Sequence, residues 1–186
     1  KRLRFTILMY QPTYWVHGNI KFPEQEVNQV VSELKRLGSE LLVRGYPASS
    51  FHFKLFSRPD KIWAERYTEI VSDITKAINL HSSTKYFFEY WSQLYTNNIQ
   101  HIRHHHFDAN DGNPQISFVH FIKPDKEKSF RFVTNEQEDW TPPEQNEGDL
   151  ICFPSWCWHR VVPVQTKERL VVAGNIDIAH IDVYEN

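Results

Sequence analysis

Residues 148–163 read Gly-Asp-Leu-Ile-Cys-Phe-Pro-Ser-Trp-Cys-Trp-His-Arg-Val-Val-Pro, and this stretch decides the fold class. A Gly-Asp turn signal precedes a short apolar run at 149–153, and a second run at 159–164 follows a break. Short apolar runs that turn signals separate are typical of strands in a β-sandwich or barrel. His159 opens the second run, so it lies where a strand begins.

The same pattern extends over the second half of the chain. Further turn signals lie at 111–114 and 140–143. We predict strands at 85–95, 116–122, 130–133, 149–153, 159–164 and 169–178.

The first half of the chain carries helical periodicity. Apolar residues repeat at i, i+3, i+4 and i+7 over 23–37, with Gly38 as the expected stop, and again over 60–79, with Asp60 as the expected N-cap. Short strands are expected at 5–10, 41–43 and 51–56. Two helices ahead of a β-rich half predict a mainly β fold in which flanking helices pack on a small β-barrel or jelly roll. We expect a single domain over 1–186, with N-terminal strands and supporting helices at 1–84 and the β core at 85–180.

Composition excludes several classes of protein. The chain has 186 residues, of which 40% are hydrophobic and 24% charged, so it is neither disordered nor collagen-like. No apolar run approaches the ~20 residues that span a bilayer, so we expect no membrane association. The net charge of -2 gives no field that favours nucleic acid, which we expect not to be a partner. Two cysteines form no disulfide framework and favour a reducing, cytoplasmic location.

The chain has ten histidines, and the segment 103–108, Arg-His-His-His-Phe-Asp, holds three of them. In an extended chain His106 and Asp108 point to the same face and can converge on one ion. His159 follows 53 residues after His106. Two histidines and a carboxylate form the facial triad of non-haem Fe(II) oxygenases. Arg169, ten residues beyond His159, could clamp a carboxylate with two parallel hydrogen bonds.

Two other metal sites are compatible with these residues. His104-x-His106 offers an all-histidine site in place of Asp108, although we prefer His106 and Asp108 because the carboxylate neutralises Fe(II) charge. Cys157-x-His159 offers a zinc site, but a lone Cys-x-His pair is weak and buried structural cysteine is commoner. The remaining histidines, including His120, are interpreted as structural.

Two segments resemble Fe(II)- and 2-oxoglutarate-dependent dioxygenases over about residues 90–178. Residues 106–117, His-Phe-Asp-Ala-Asn-Asp-Gly-Asn-Pro-Gln-Ile-Ser, resemble the His-x-Asp opening of the prolyl-4-hydroxylases. Residues 148–163 resemble an oxygenase family of phages and marine bacteria, whose closing Arg-x-Ser-x-x-x-Asn motif resembles residues 169–175. Val171 departs from that motif's serine. The strand after His-x-Asp has His120 and Phe121 where the family often has a tyrosine.

The resemblance implies a fold, a metal centre and a reaction. The core would be a double-stranded β-helix (jelly roll) with two N-terminal supporting helices. Fe(II) would be held by His106, Asp108 and His159, and the cosubstrate 2-oxoglutarate by Arg169, with Tyr95 in place of the family's tyrosine. Ascorbate would serve as reductant.

The enzyme would hydroxylate a C–H bond on a peptide or protein side chain, with prolyl the leading expectation. Two alternatives stay open: an oxygenase of a free amino acid or other small molecule, and a non-catalytic metal-binding β-barrel.

Overall fold

A computed structural model describes residues 13–42, 49–50, 59–78, 85–96, 98–110, 114–134 and 138–178. It has two α-helices, α1 (Glu24–Leu42) and α2 (Ala64–Ala77), and a 3₁₀ turn at Pro59–Trp63 that leads into α2. The strands are β1 (Trp15–Asn19), β2 (Ser49–Ser50), β3 (Tyr86–Tyr95), β4 (His101–His104), β5 (Ile116–Lys123), β6 (Phe130–Val133), β7 (Asp139–Trp140), β8 (Asp149–Pro154), β9 (His159–Val161) and β10 (Arg169–Ile178). No helix within these ranges is both long and apolar enough to cross a membrane.

The strands form two antiparallel sheets. The six-stranded sheet has the order β1-β8-β5-β10-β3-β2, and the four-stranded sheet has the order β4-β9-β6-β7. From β3 to β10 the chain therefore alternates between the sheets except at the hairpin of β6 and β7, and β10 returns to the centre of the larger sheet. This confirms the prediction of a mostly β fold with two helices.

One hydrophobic cluster joins the helices to the six-stranded sheet. The apolar stripes predicted for the helices supply it from one side, and alternate residues of the central strands supply it from the other. Its fully buried members include Val30, Leu34, Trp63, Tyr67, Val71, Ile74, Phe118, Leu150, Cys152, Leu170, Val172 and Ile176.

The second cluster lies between the two sheets and is largely aromatic. It comprises Tyr95, Val119, Phe121, Phe130, Phe132, Ile151, Phe153, Cys157, Val161, Val164 and Val171. Residues of opposite sheets meet here; the ring centroids of Phe130 and Phe153 lie 5.9 Å apart. Because strand side chains alternate, neighbouring residues of β5, β8 and β10 serve different clusters.

Two glycines occupy positions that a side chain would disturb. Gly148 has φ +87 and forms the turn before β8, as its Gly-Asp signal predicted. A Cβ on Gly174 would lie 2.3 Å from the ring of Phe118, so β10 approaches β5 at a point where no other residue fits.

Several predicted elements differ from the structure. Helix α1 continues through Gly38 to Leu42, so the strand expected at 41–43 is wrong for 41–42. A glycine inside a helix costs only about 1 kcal/mol relative to alanine, so Gly38 weakens the helix without ending it. β1, β4 and β7 were not predicted. The strands expected at 5–10 and 51–56 lie outside the described residues.

The sequence predicted Asp60 as the N-cap of α2, but Asp60 does not cap this helix. Its carboxylate is buried and accepts hydrogen bonds from the backbone nitrogen of Ser92 (2.8 Å) and from the Ser92 hydroxyl (2.9 Å), which ties the 3₁₀ turn to β3. His120, interpreted as structural, packs against Phe22 and Tyr67 of the cluster that joins the helices to the six-stranded sheet. Its Nε2 is 2.7 Å from the carbonyl of Ile20 and its Nδ1 is 2.9 Å from the Tyr67 hydroxyl.

Candidate metal and carboxylate site

A cavity of about 160 Å³ opens between the two sheets. Four histidines, His101, His104, His106 and His159, line the cavity together with Arg169. Aromatic and small residues complete the wall: Trp91, Phe118, Phe130, Phe153, Ala173 and Gly174. The cavity therefore combines an apolar wall with a few polar groups, which is typical of a small-ligand site.

His104, His106 and His159 bring one ring nitrogen each to within 4.8 Å of one another. Strand pairing sets two of them, because His104 at the end of β4 lies directly opposite His159 at the start of β9. The loop after β8 positions the third histidine, His106. The carbonyl of Ser155 accepts hydrogen bonds from the backbone nitrogens of His106 (2.9 Å) and Phe107 (3.2 Å), which brings this segment against β9.

Hydrogen bonds to backbone carbonyls fix the rings of two histidines. Nδ1 of His159 lies 3.0 Å from the carbonyl of Cys157, and Nδ1 of His104 lies 2.8 Å from the carbonyl of Ile102. A carbonyl can only accept, so Nδ1 carries the proton and Nε2 keeps its lone pair. This is the arrangement of a metal-binding imidazole.

Burial keeps these rings neutral. It lowers the pKa of His159 well below the ordinary value of 6.5, and neighbouring His104 and His106 add to the effect. Burial also lowers the pKa of His104. Neutral imidazole is the form that binds a divalent ion, so the cluster is ready for a metal near neutral pH.

Asp108 lies on the exposed loop that follows the three histidines. Its Oδ1 accepts hydrogen bonds from the backbone nitrogen (2.8 Å) and the side-chain amide (3.0 Å) of Asn110. The group of three side chains that the structure brings together contains His104, not Asp108. The assignment of Asp108 to the metal stays a prediction, with His104 as its alternative.

Arg169 begins β10, directly opposite Tyr95 on β3. It is 1% exposed, and its two terminal nitrogens have no hydrogen-bond partner among the described residues. Its Cζ lies 4.8 Å from the ring centroid of Tyr95 and 5.8 Å from that of Phe121, so aromatic faces surround the charge. Burial lowers the pKa of the guanidinium. An unpaired buried cation is costly, and an anion entering the cavity would remove that cost.

Tyr95, the predicted partner of Arg169, also lines the cavity. Burial raises its pKa to about 12, so its hydroxyl stays protonated. That hydroxyl donates to Oε1 of Gln93 (2.7 Å) and lies 3.3 Å from Nδ1 of His101. Because the single hydroxyl proton goes to Gln93, Nδ1 of His101 is the donor to Tyr95.

His101 and Gln93 line the cavity but were not predicted from the sequence. The ring of His101 stacks on that of His104 with 4.2 Å between centroids, and burial lowers the pKa of His101 to about 4. The available signal was the spacing His101-x-x-His104-x-His106. Gln93 carried no signal, because its role depends on strand pairing.

A buried polar network supports the loop that holds His106. The Ser117 hydroxyl lies 2.9 Å from the Ser155 hydroxyl and donates to Oδ1 of Asn175, also at 2.9 Å. Since the Ser117 proton goes to Asn175, the Ser155 hydroxyl donates to Ser117. The network fixes Ser155, whose carbonyl positions His106.

The zinc alternative at Cys157 does not match this geometry. Its Sγ lies 3.9 Å from the carbonyl of Thr13, and it is not one of the three side chains that converge. Burial raises the pKa of this thiol to about 11, which disfavours the thiolate that zinc requires.

Comparison with known proteins supports the fold. No family model matches the chain, and no curated protein matches it. Among solved structures, a prolyl-4-hydroxylase from Pseudomonas putida matches with a TM-score of 0.62 at 16% identity, covering 90% of this chain and 93% of that one.

Two further structures match over most of the chain. A viral collagen prolyl hydroxylase from Paramecium bursaria Chlorella virus-1, in its 2-oxoglutarate complex, has a TM-score of 0.62 at 13% identity, covering 90% and 96%. A prolyl hydroxylase from Trichoplax adhaerens, in complex with a hypoxia inducible factor peptide fragment, has a TM-score of 0.56 at 13% identity, covering 88% and 83%. The chain therefore has the fold of the prolyl-4-hydroxylases, as the resemblance in its sequence implied.

Proposed function

We propose that the protein is an Fe(II)- and 2-oxoglutarate-dependent oxygenase that hydroxylates a C–H bond on a peptide or protein side chain. The observation that carries the proposal is the guanidinium of Arg169, whose terminal nitrogens have no hydrogen-bond partner among the described residues and which lies in the same cavity as three convergent histidines. A structural zinc site or a passive metal-binding barrel has no use for such a group. The similar folds of prolyl hydroxylases support the reaction class.

The residues present fit both groups that this chemistry needs. The neutral imidazoles of His104 and His159, whose Nε2 atoms keep their lone pairs, suit a divalent ion, and a ring-enclosed guanidinium suits a carboxylate. His106 and His159 would hold Fe(II) together with a third ligand. Among the described residues His104 is the side chain that converges with them, whereas Oδ1 of Asp108 accepts hydrogen bonds from Asn110 in its own loop.

When bound, Fe(II) and 2-oxoglutarate supply the oxidation of an unactivated C–H bond by dioxygen. The residues of the chain would orient the two bound groups and enclose the cavity. Arg169 would bind the distal carboxylate of 2-oxoglutarate, and Tyr95 would hold the guanidinium in place through its ring. Phe130 and Phe153 exclude water from the space beside the histidines. Residues 85–178, the proposed double-stranded β-helix, contain all of these groups.

The size of the cavity favours a peptide substrate over a free small molecule. Its volume of about 160 Å³ is below the ~300–1,000 Å³ of typical small-molecule sites. With 2-oxoglutarate in place, we expect room for little more than one side chain. The rest of the substrate would lie on the surface, as a polypeptide can. The Trichoplax relative of this fold, solved with a peptide, supports this reading.

The test is succinate formation from 2-oxoglutarate with Fe(II) and ascorbate, against proline-containing peptides and free amino acids. We expect succinate and a 16 Da mass gain on a peptide, both lost in His159→Ala. Turnover with a free amino acid but no peptide would establish the small-molecule alternative. Tight metal binding without any 2-oxoglutarate binding would support the non-catalytic one.

A further inference from the structure

A row of arginines crosses the outer face of the four-stranded sheet. Arg131 on β6 and Arg160 on β9 are directly opposite each other. Arg103 lies in the irregular part of β4, between the pairs that join His101 to Val161 and His104 to His159, and so faces Arg160 from the other side. Neighbouring strands are ~4.8 Å apart, so three positively charged residues follow one another across three adjacent strands. Like charges directly opposite on a sheet are destabilising unless something compensates them.

The compensation within the described residues is partial. Asp139 accepts a hydrogen bond from Arg160 at 2.6 Å, with the Arg160 side chain 44% exposed. Arg131 donates to the hydroxyl of Thr141, which is neutral. Arg103 lies over an aromatic ring and forms no ion pair within the described ranges. The face therefore has guanidinium groups available for an external anion.

Exposed tryptophans extend this face toward the cavity. The guanidinium of Arg103 lies 4.3 Å from the ring centroid of Trp158, and His105 meets that ring edge-on at 4.2 Å. Trp158 is 39% exposed and Trp156 is 46% exposed. Both lie on the loop that connects Ser155 to His159, so the aromatic surface borders the histidine cluster. We call Arg103, Arg131, Arg160, Trp156 and Trp158 the basic–aromatic face.

We propose that the basic–aromatic face docks an acidic segment of the polypeptide substrate, close to the residue that enters the cavity. This rests on the proposed function, because it assumes a peptide substrate. Guanidinium groups bind carboxylates through paired hydrogen bonds, and tryptophan rings give apolar contact area for the intervening residues. An acidic peptide removes the repulsion along the row.

Charge favours an acidic peptide over a nucleic acid. Three guanidiniums, one of them already paired with Asp139, match two or three carboxylates. Single-stranded nucleic acid requires a longer basic groove that follows many phosphates, whereas this face offers three guanidinium groups.

Binding of labelled peptides to the full chain without 2-oxoglutarate tests this, because turnover is not required. The probe is a fluorescein-labelled dodecapeptide of Glu, Pro and Ala, compared by fluorescence anisotropy with a version in which Gln replaces each Glu. We expect the acidic peptide to bind more tightly, and added salt to weaken it. Arg103→Gln combined with Arg160→Gln should weaken binding about tenfold. The matched control is Arg36→Gln on α1, which should leave binding unchanged.

Three results would overturn the proposal: equal affinity for both peptides, no loss in the double variant, or tighter binding of a labelled twelve-nucleotide oligo-dT that the double variant loses. Thermal melting of each variant shows that it is folded. Failure of the proposed function would instead appear as missing 2-oxoglutarate binding at Arg169, which this assay does not use.

Discussion

Replacing Arg169 with methionine should abolish 2-oxoglutarate binding and leave the protein as stable as before, or more stable. The guanidinium is 1% exposed, its terminal nitrogens have no partner in the described part of the chain, and its surroundings are aromatic. Replacing a buried ion pair with apolar side chains of similar volume is commonly neutral or stabilising by about 1–4 kcal/mol, and a buried charge without an ionic partner has less attraction to lose. A structural arginine would behave in the opposite way, because its removal would leave partners unsatisfied.

Replacement by lysine should separate charge from geometry. Lysine keeps the positive charge but cannot form two parallel hydrogen bonds with a carboxylate. Each charge-assisted hydrogen bond contributes about 1.5–3 kcal/mol, and about 1.4 kcal/mol corresponds to a tenfold change in Kd. Arg169→Lys should therefore weaken 2-oxoglutarate binding by about tenfold or more, with metal affinity nearly unchanged.

Thermal unfolding with Mn²⁺, with and without 2-oxoglutarate, measures both effects. At a ligand concentration of 100 times Kd, the wild type should gain about 2.7 kcal/mol, and Arg169→Met should gain nothing. Arg36→Met on α1, where the side chain is 62% exposed, is the control and should behave as wild type. An Arg169→Met protein that melts earlier but still gains stability from 2-oxoglutarate would refute the reasoning.

Three further predictions concern the metal, pH and packing. His104→Ala should lower Mn²⁺ affinity by about a hundredfold or more while Asp108→Ala changes it little; titration calorimetry giving the reverse order would assign the third position to Asp108. Burial lowers the pKa of His120 to about 4, below the ordinary value of 6.5 in an unfolded chain, so the unfolded state takes up the proton first as pH falls. Stability should therefore decline between pH 6.5 and 4 by on the order of 3 kcal/mol from this group, and denaturant titrations of His120→Gln should show a shallower decline. Gly174→Ala should destabilise by about 1–3 kcal/mol, since its Cβ would lie 2.3 Å from a phenylalanine ring of β5, whereas the matched Gly18→Ala, with nothing within 4 Å, should have little effect in the same titrations.

Local patterns predicted the central elements well. The short apolar runs at 116–122, 130–133, 149–153 and 169–178 correspond to strands. Burial alternates only in β6, whereas β5, β8 and β10 are buried on both faces because each contributes to both hydrophobic clusters. The helix stripes were also predicted, since Val30, Leu34 and their equivalents in α2 are buried. The sequence did not predict the short strands β4 and β7, which pair with a neighbouring strand, or the continuation of α1 through Gly38, where the adjacent helical turns outweigh the low helix propensity of glycine.

The residues of the candidate site were also predicted only in part. His106, His159 and Arg169 were proposed from residue type and spacing, and Tyr95 from the family resemblance; all four line one cavity. The spacing His101-x-x-His104-x-His106 is visible in the sequence, but only the pairing of β4 with β9 brings His101 and His104 to the same cavity. Asp108 has the expected spacing from His106, yet its carboxylate accepts hydrogen bonds from Asn110.

The amino-acid sequence by itself determined the mostly β class, the two helices, and which residue types could bind a metal and a carboxylate, because these follow from periodicity and side-chain chemistry over short distances. Tertiary structure alone decided which histidines converge, that the buried terminal nitrogens of Arg169 have no hydrogen-bond partner in the described part of the chain, and that Arg103, Arg131 and Arg160 form one row. Those facts depend on strand register between segments tens of residues apart, and a register shift of one residue would turn each side chain to the opposite face.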